Sequence, residues 1–252
     1  MEIKLKENER IDDLEIKNMK IIQNKDGFCF GIDSVLLSDF AKEIKDNSKV
    51  VDLGTGTGIL GILLCAKTNL KEILGVEIQE EVANMAQRSI ELNNLKNRFK
   101  ILNDNIKNIE KNNINLKNNF DYVVTNPPYK KLNTGKINEN EKKIISRHEL
   151  TANLDDFIKT TSFLLKDKGT LFMVHRPERL VDILEKMRKE KIEPKELKFI
   201  YPKINKEPNL ILIKGVKNAN PFLKIDKPLY VYNEDGNYTD DILKIYGKIL
   251  IN

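Results

Sequence analysis

The run Thr125-Asn126-Pro127-Pro128-Tyr129 brings together an amide, a proline-held carbonyl and an aromatic ring. Such a set suits an exocyclic amine on an sp² carbon, a poor nucleophile because its lone pair is delocalised into the ring or carbonyl. The amide oxygen of Asn126 and the backbone carbonyl of Pro127 can accept its two N–H bonds. That favours a tetrahedral nitrogen and stabilises the positive charge that develops as the nitrogen attacks. Pro127 and Pro128 fix φ and offer no N–H to compete. Tyr129 gives a planar base a face to stack on, worth about 1–3 kcal/mol. The expected catalytic pocket is therefore Asn126, Pro127, Pro128 and Tyr129. A strong general base is unnecessary when the electrophile is already activated. The sequence agrees, with His148 and His175 as its only histidines and no Ser/His/Asp set.

A second cluster could hold that electrophile. Asp52-Leu53-Gly54-Thr55-Gly56-Thr57-Gly58 lies where a buried strand gives way to an apolar helix. Glycines at such a turn let the backbone approach a ligand closely. A dinucleotide fingerprint needs its third glycine at the sixth position, with pyrophosphate on the helix N-terminus. Counted from Gly54, that position is Ile59. Gly-x-Gly-x-Gly behind an acid suits a ligand with an amino-acid end and no pyrophosphate, which is S-adenosyl-L-methionine rather than a nicotinamide dinucleotide. Glu77, followed by Ile78, closes the next strand, where a carboxylate can accept both ribose hydroxyl protons. Asp104, followed by Asn105, comes just after the third strand, in reach of an adenine amino group. The expected cofactor residues are thus Asp52, Gly54, Thr55, Gly56, Gly58, Glu77, Ile78, Asp104 and Asn105, with Asn126 at the reacting end.

The elements that must position these residues alternate. Strands are expected at Lys49–Leu53, Glu72–Glu77, Phe99–Leu102, Asp121–Thr125 and Thr170–His175, with helices at Ile59–Lys67, Glu80 to about Asn93, Asn153–Leu165, and from Pro177 to about Glu190. Lys168-Gly169 reads as the stop of the third of these helices. Ahead of them, Val35, Leu36, Phe40 and Ile44 recur at helical spacing, with Asp33 or Ser34 as the N-cap. Leu197–Tyr201 and Leu210–Lys214 have only a short proline-containing connection, so they pair antiparallel. Such an order makes an α/β fold: a seven-stranded, mostly parallel sheet with an antiparallel closing hairpin and helices on both faces. Residues 1–48 form a lead-in, 49–216 the main domain, and 217–252 an extension packed on it. Asn105–Asn119, rich in Lys and Asn, reads as a solvated elaboration.

Bulk properties narrow the class. Charged residues make up 32% of the 252, and no apolar run is long enough to span a membrane. The first residues lack the pattern of a signal peptide, so a cytoplasmic protein is expected. Cys29 and Cys65 read as buried apolar side chains, and with two histidines no metal site is expected. The net charge is +5. Between Pro128 and Arg147, Lys130, Lys131, Lys136, Lys142, Lys143 and Arg147 face only Glu139 and Glu141. That stretch beside the reactive box is expected to hold phosphates of a nucleic acid, helped by Arg176. Solvation alone is the bland alternative for such a lysine-rich loop.

With these residues in view, the chain resembles the Rossmann-like class I amino-methyltransferases. More narrowly, it resembles the bacterial tRNA(Val) adenine-37 N6-methyltransferases. The narrower likeness lies in Gly27-Phe28-Cys29-Phe30-Gly31-Ile32-Asp33, Arg147-His148-Glu149, His175-Arg176-Pro177-Glu178-Arg179 and Asp235-Gly236-Asn237-Tyr238-Thr239. The resemblance implies methylation of the N6 amino group of adenine 37 in a tRNA anticodon loop. There the base is already unpaired and costs less to extrude. It implies that Phe30 and Asp33 lie near the methionine end of the cofactor, and a tRNA partner; a monomer or weak dimer is expected. The same box on a protein glutamine or on ribosomal RNA is the competing enzyme, and a cofactor-binding RNA-binding protein the competing non-enzyme.

Overall fold

The computed structural model describes residues 4–25, 31–129 and 152–249. The chain opens with an antiparallel hairpin of β1 (Glu9–Asp13) and β2 (Lys20–Asn24), a pair the sequence reading missed. A nine-stranded sheet follows, built from β3 (Lys49–Leu53), β4 (Glu72–Glu77), β5 (Phe99–Asn103), β6 (Phe120–Thr125), β7 (Leu165–His175), β8 (Ile192–Tyr201), β9 (Leu210–Lys217) and the two-residue strands β10 (Lys224–Ile225) and β11 (Leu229–Tyr230). The seven expected strands are present, and the two short ones extend the edge by pairing with β8. The strand order runs β10-β8-β9-β7-β6-β3-β4-β5, with β3 to β7 parallel to one another and β9 antiparallel to both β7 and β8. The chain goes outward from β3 through β4 to β5, then returns to β6 on the other side of β3. The crevice at the carboxyl ends of β3 and β6 is the switch point where such sheets bind ligands.

Helices cover both faces. On one side lie α1 (Ile32–Phe40), α2 (Ile59–Lys67) and α3 (Glu80–Leu92), and on the other α5 (Leu154–Leu164) and α6 (Leu180–Lys189). A one-turn α4 (Ile109–Asn112) and a C-terminal α7 (Asp240–Ile245) complete the set among the described residues. Strand alternation divides the core: Phe172 and Val174 pack with Leu36, Ile62 and Leu63, whereas Leu171 and Met173 pack with Phe157, Ile158 and Ile183.

Several expectations are corrected. Asp33 and Ser34 do not cap α1. Gly31 is its N-cap, Asp33 lies in the first turn and Ser34 is buried. Asn153 does cap α5, in a capping box with Asp156, but that helix ends at Leu164. Lys168-Gly169 is therefore not its stop. Lys168, at φ 59°, sits inside β7, which shifts register against β6 there. Pro177 opens a 3-10 turn over Pro177–Arg179, and the α-helix starts at Leu180. The Lys/Asn-rich stretch folds into short turns that bury Ile106 and Ile109.

Candidate active site

The glycine loop leaves β3 with Gly54, Gly56 and Gly58 all at positive φ, conformations that a side chain would oppose. Gly54 and Gly58 are backed by Phe157 and by Ala86 with Phe99, whereas a Cβ added at Gly56 would meet nothing within 4 Å. The open side of the loop is therefore at Gly56. Thr55 is buried and donates its hydroxyl to Asp52 Oδ2 at 2.6 Å. Burial pushes the Asp52 carboxyl up to about 7; the Thr55 hydroxyl opposes the rise and the nearby Glu77 charge adds to it.

Glu77, at the end of β4, turns back to this loop. Its Oε2 accepts from the Gly56 N–H at 3.1 Å and its Oε1 from the Gln79 N–H at 2.8 Å. The carboxylate keeps lone pairs free for further donors. A bare backbone at Gly56 beside a buried acid at a strand end fits the amino-acid and ribose parts of S-adenosyl-L-methionine. At the end of β5, Asn103 donates to the carbonyls of Glu77 and Ile78 at 2.8 and 3.1 Å, fixing the rim on which Ile78 sits. Asp104 accepts from the Asn105 N–H at 2.7 Å and the Asn113 amide at 3.0 Å, while Asn105 caps the following turn through the Lys107 N–H.

The reactive box leaves β6 next to this loop, because Thr125 is in register with Leu53 and its hydroxyl donates to the Leu53 carbonyl at 2.9 Å. Pro127 is buried and Pro128 exposed. The Tyr129 hydroxyl lies 2.7 Å from Asn126 Oδ1 and 2.5 Å from Asp33 Oδ2. Burial, with the Asp33 charge, pushes the Tyr129 phenol well above its ordinary value, so it keeps its hydrogen. His175, at the end of β7, packs its ring 5.2 Å from that of Tyr129. Burial and the neighbouring arginines hold the imidazole neutral, its pKa down at about 4, and its Nδ1 accepts from the Arg176 N–H at 2.7 Å. Arg176 lies over the Tyr129 ring, 5.0 Å from its centre, and bonds the Asn209 carbonyl at 2.8 Å. Arg179 pairs with Asp182.

Structure thus brings Asp33, Asp52, Gly54, Thr55, Gly56, Gly58, Glu77, Ile78, Asn126, Tyr129 and Arg176 to the carboxyl ends of neighbouring strands, with Asp104 and Asn105 at the far end of β5. Phe30, Lys130, Lys131, Lys136, Lys142, Lys143 and Arg147 lie outside the described residues. The sequence reading gave no role to His175, Thr125 or Asn103. Their signal was a polar residue closing an apolar strand, too common a pattern to single out alone. Among the described residues no group of His, Cys, Asp and Glu could hold a metal ion, and no helix is long and apolar enough to cross a membrane.

A doubly wound sheet with a left-handed glycine loop, an acid at the next strand end and an Asn-Pro-Pro-Tyr box at the switch point is the arrangement of an S-adenosyl-L-methionine-dependent methyltransferase. The chain belongs to the methyltransferase small domain family, whose model matches residues 30–190. Among its relatives is a tRNA1(Val) (adenine(37)-N6)-methyltransferase of Haemophilus influenzae, 25% identical over 230 residues that cover 91% of this chain and 94% of that one. A protein of the same name from Porphyromonas gingivalis is 26% identical over 204 residues, covering 80% of this chain and 79% of its own. The fold is shared with a predicted O-methyltransferase from Agrobacterium tumefaciens, at TM-score 0.67 and 20% identity over 85% of this chain and 95% of that one. It is also shared with TYW2 of M. jannaschii in complex with AdoMet, at TM-score 0.56 and 16% identity over 84% and 87% of the two chains.

Proposed function

We propose that this protein methylates the exocyclic N6 amino group of an adenine in tRNA, adenine 37 of the tRNA(Val) anticodon loop. The observation that carries this reading is the convergence of Asn126, Pro127 and Tyr129 on the glycine-loop end of the sheet. The names of relatives that align with this chain over most of their length support adenine 37 as the target. When bound, S-adenosyl-L-methionine supplies a methyl group on a sulfonium, an electrophile that needs no further activation. Glu77 and the backbone at Gly56 would hold the cofactor's ribose and amino-acid portions, with Asp104 toward the base.

Asn126 and the Pro127 carbonyl accept the two amine hydrogens and turn the nitrogen lone pair toward the reaction. Their partial negative charges then stabilise the ammonium as it forms. Tyr129 supplies the face against which the base is stacked, and Arg176 a cation for the phosphate beside it. His175 is neutral with its Nδ1 already occupied. It shapes the pocket wall and leaves the proton to depart to water after transfer.

The test is methyl transfer from isotopically labelled S-adenosyl-L-methionine to total tRNA from a strain lacking the protein, followed by nucleoside analysis. Label is expected in N6-methyladenosine. Label in a protein side chain or in ribosomal RNA alone would keep the methyltransferase and overturn its substrate.

A further inference from the structure

Tyr129 has one hydroxyl hydrogen and two oxygen atoms to receive it, Asp33 Oδ2 at 2.5 Å and Asn126 Oδ1 at 2.7 Å. A carboxylate has acceptors only. An amide presents an oxygen or an NH2 of nearly the same shape, so its orientation follows from its partners. One arrangement satisfies all three groups: the phenol hydrogen goes to Asp33, and Asn126 turns its NH2 to the phenol oxygen. The shorter contact and the charge on the acceptor favour that direction. Asn126 Oδ1 then points away from Tyr129, on the side of the amide that hydrogen-bonds no described residue. Without Asp33, the phenol hydrogen would go to Asn126 Oδ1 and occupy the oxygen on which activation of the amine depends.

We propose that Asp33 is a positioning residue that acts through Tyr129 to fix the orientation of the Asn126 amide, leaving its oxygen free for the substrate amine. The proposal rests on the reading of Asn126 as the amine's acceptor. It assigns Asp33 a task different from the contact with the methionine end implied by family resemblance. The element suits the task, since Asp33 stands in the first turn of α1 and the five residues after it, Ser34 to Ser38, are buried. A carboxylate on so firmly seated a helix orients a partner 96 residues away in sequence at little entropic cost.

A double-mutant cycle tests it. Asp33→Ala is expected to lower kcat about tenfold to a hundredfold, the scale of one misdirected hydrogen bond to a developing charge. Kd for S-adenosyl-L-methionine, by calorimetry, should stay within about threefold. Asp33→Asn, whose amide oxygen can still accept, should fall between. In a Tyr129→Phe background no hydroxyl remains to capture Asn126, so Asp33→Ala should then cost less than about threefold. An equal loss in both backgrounds, or a weakened Kd with kcat intact, would overturn the proposal. If the wild-type protein transfers no methyl group to RNA, it is the functional reading that fails. The relay can then be read without substrate from the 15N resonance of the Asn126 side-chain amide, identified by its absence in Asn126→Ala. Asp33→Ala should shift that resonance in the wild-type background and leave it in place in Tyr129→Phe, and the absence of any shift would overturn the relay by itself.

Discussion

Asp52 is 1% exposed at the end of β3, and among the described residues no cation pairs with it. Its support comes from the Thr55 hydroxyl, which shapes the glycine loop, and from the Gly61 backbone N–H. The energetic consequence has a definite sign. Burial raises the carboxyl from 3.8 to about 7, so the folded state favours the protonated form. The contribution to stability is then fully present below the unfolded value and is lost as pH rises through the folded one. Asp52→Asn keeps the acceptor for Thr55 and removes the titration. The stability of the variant relative to the wild type, measured by urea unfolding without cofactor, is expected to increase steadily between about pH 4 and pH 7. A difference that stays constant with pH would show that Asp52 is not held protonated. At this scale the placement of the candidate residues was largely legible in the sequence: the Gly-x-Gly-x-Gly turn, Glu77 and the Asn-Pro-Pro-Tyr box all stand at the strand ends where the local pattern puts them. The Asp33–Tyr129 contact was not, because it joins residues 96 apart in sequence that meet only once α1 has packed on its face of the sheet.

Elements hold those residues through close packing. α2 descends from the glycine loop onto β5, and a Cβ at Gly61 would lie 2.3 Å from Cε1 of the fully buried Phe99. Alanine favours a helix over glycine by about 1 kcal/mol, but the clash acts the other way and is the larger effect. Gly61→Ala is expected to destabilise the protein by about 1–3 kcal/mol, the usual cost of overpacking. Phe99→Leu in the same chain should restore part of the loss in thermal unfolding, and a stabilised single variant would show that α2 can lift off β5 freely. Alternation of strand and helix made most of this architecture readable, since the parallel strands are apolar and short and their helices are capped or amphipathic. The β1–β2 hairpin escaped because β1 is polar apart from Ile11, β2 offers only the pair Ile21-Ile22, and no common turn pair marks the connection. Its hold on the body comes from distant partners: the Ile22 N–H donates to Ser89 at 3.0 Å, and Arg88 pairs with Glu9 at 2.5 Å. Likewise, the apolar run Leu164-Leu165 could belong to a helix or a strand. Only pairing with β6 decides that Leu165 starts β7.

Across the whole molecule, the ends of the chain close what the central fold leaves open. The lead-in hairpin packs on α3, and the tail adds β10 and β11 along β8, an edge strand that would otherwise present unpaired backbone groups. The tail also stacks Tyr232, Tyr238 and Tyr246 in a row that ends against α7. The carboxyl ends of β3, β4, β6 and β7 thereby share one face, with Arg176 at its margin and the basic stretch from Lys130 to Arg147 following directly from Tyr129.

The central claim is tested most directly with two unmodified tRNA(Val) transcripts, one with adenine at position 37 and one with guanine there. Each is incubated with the protein and S-adenosyl-L-methionine, and N6-methyladenosine is quantified. The expected result is methylation of the adenine-37 transcript alone, reduced at least about a hundredfold by Asn126→Ala with cofactor affinity nearly unchanged. Equal methylation of both transcripts, or full turnover by Asn126→Ala, would contradict the assigned position or the assigned chemistry.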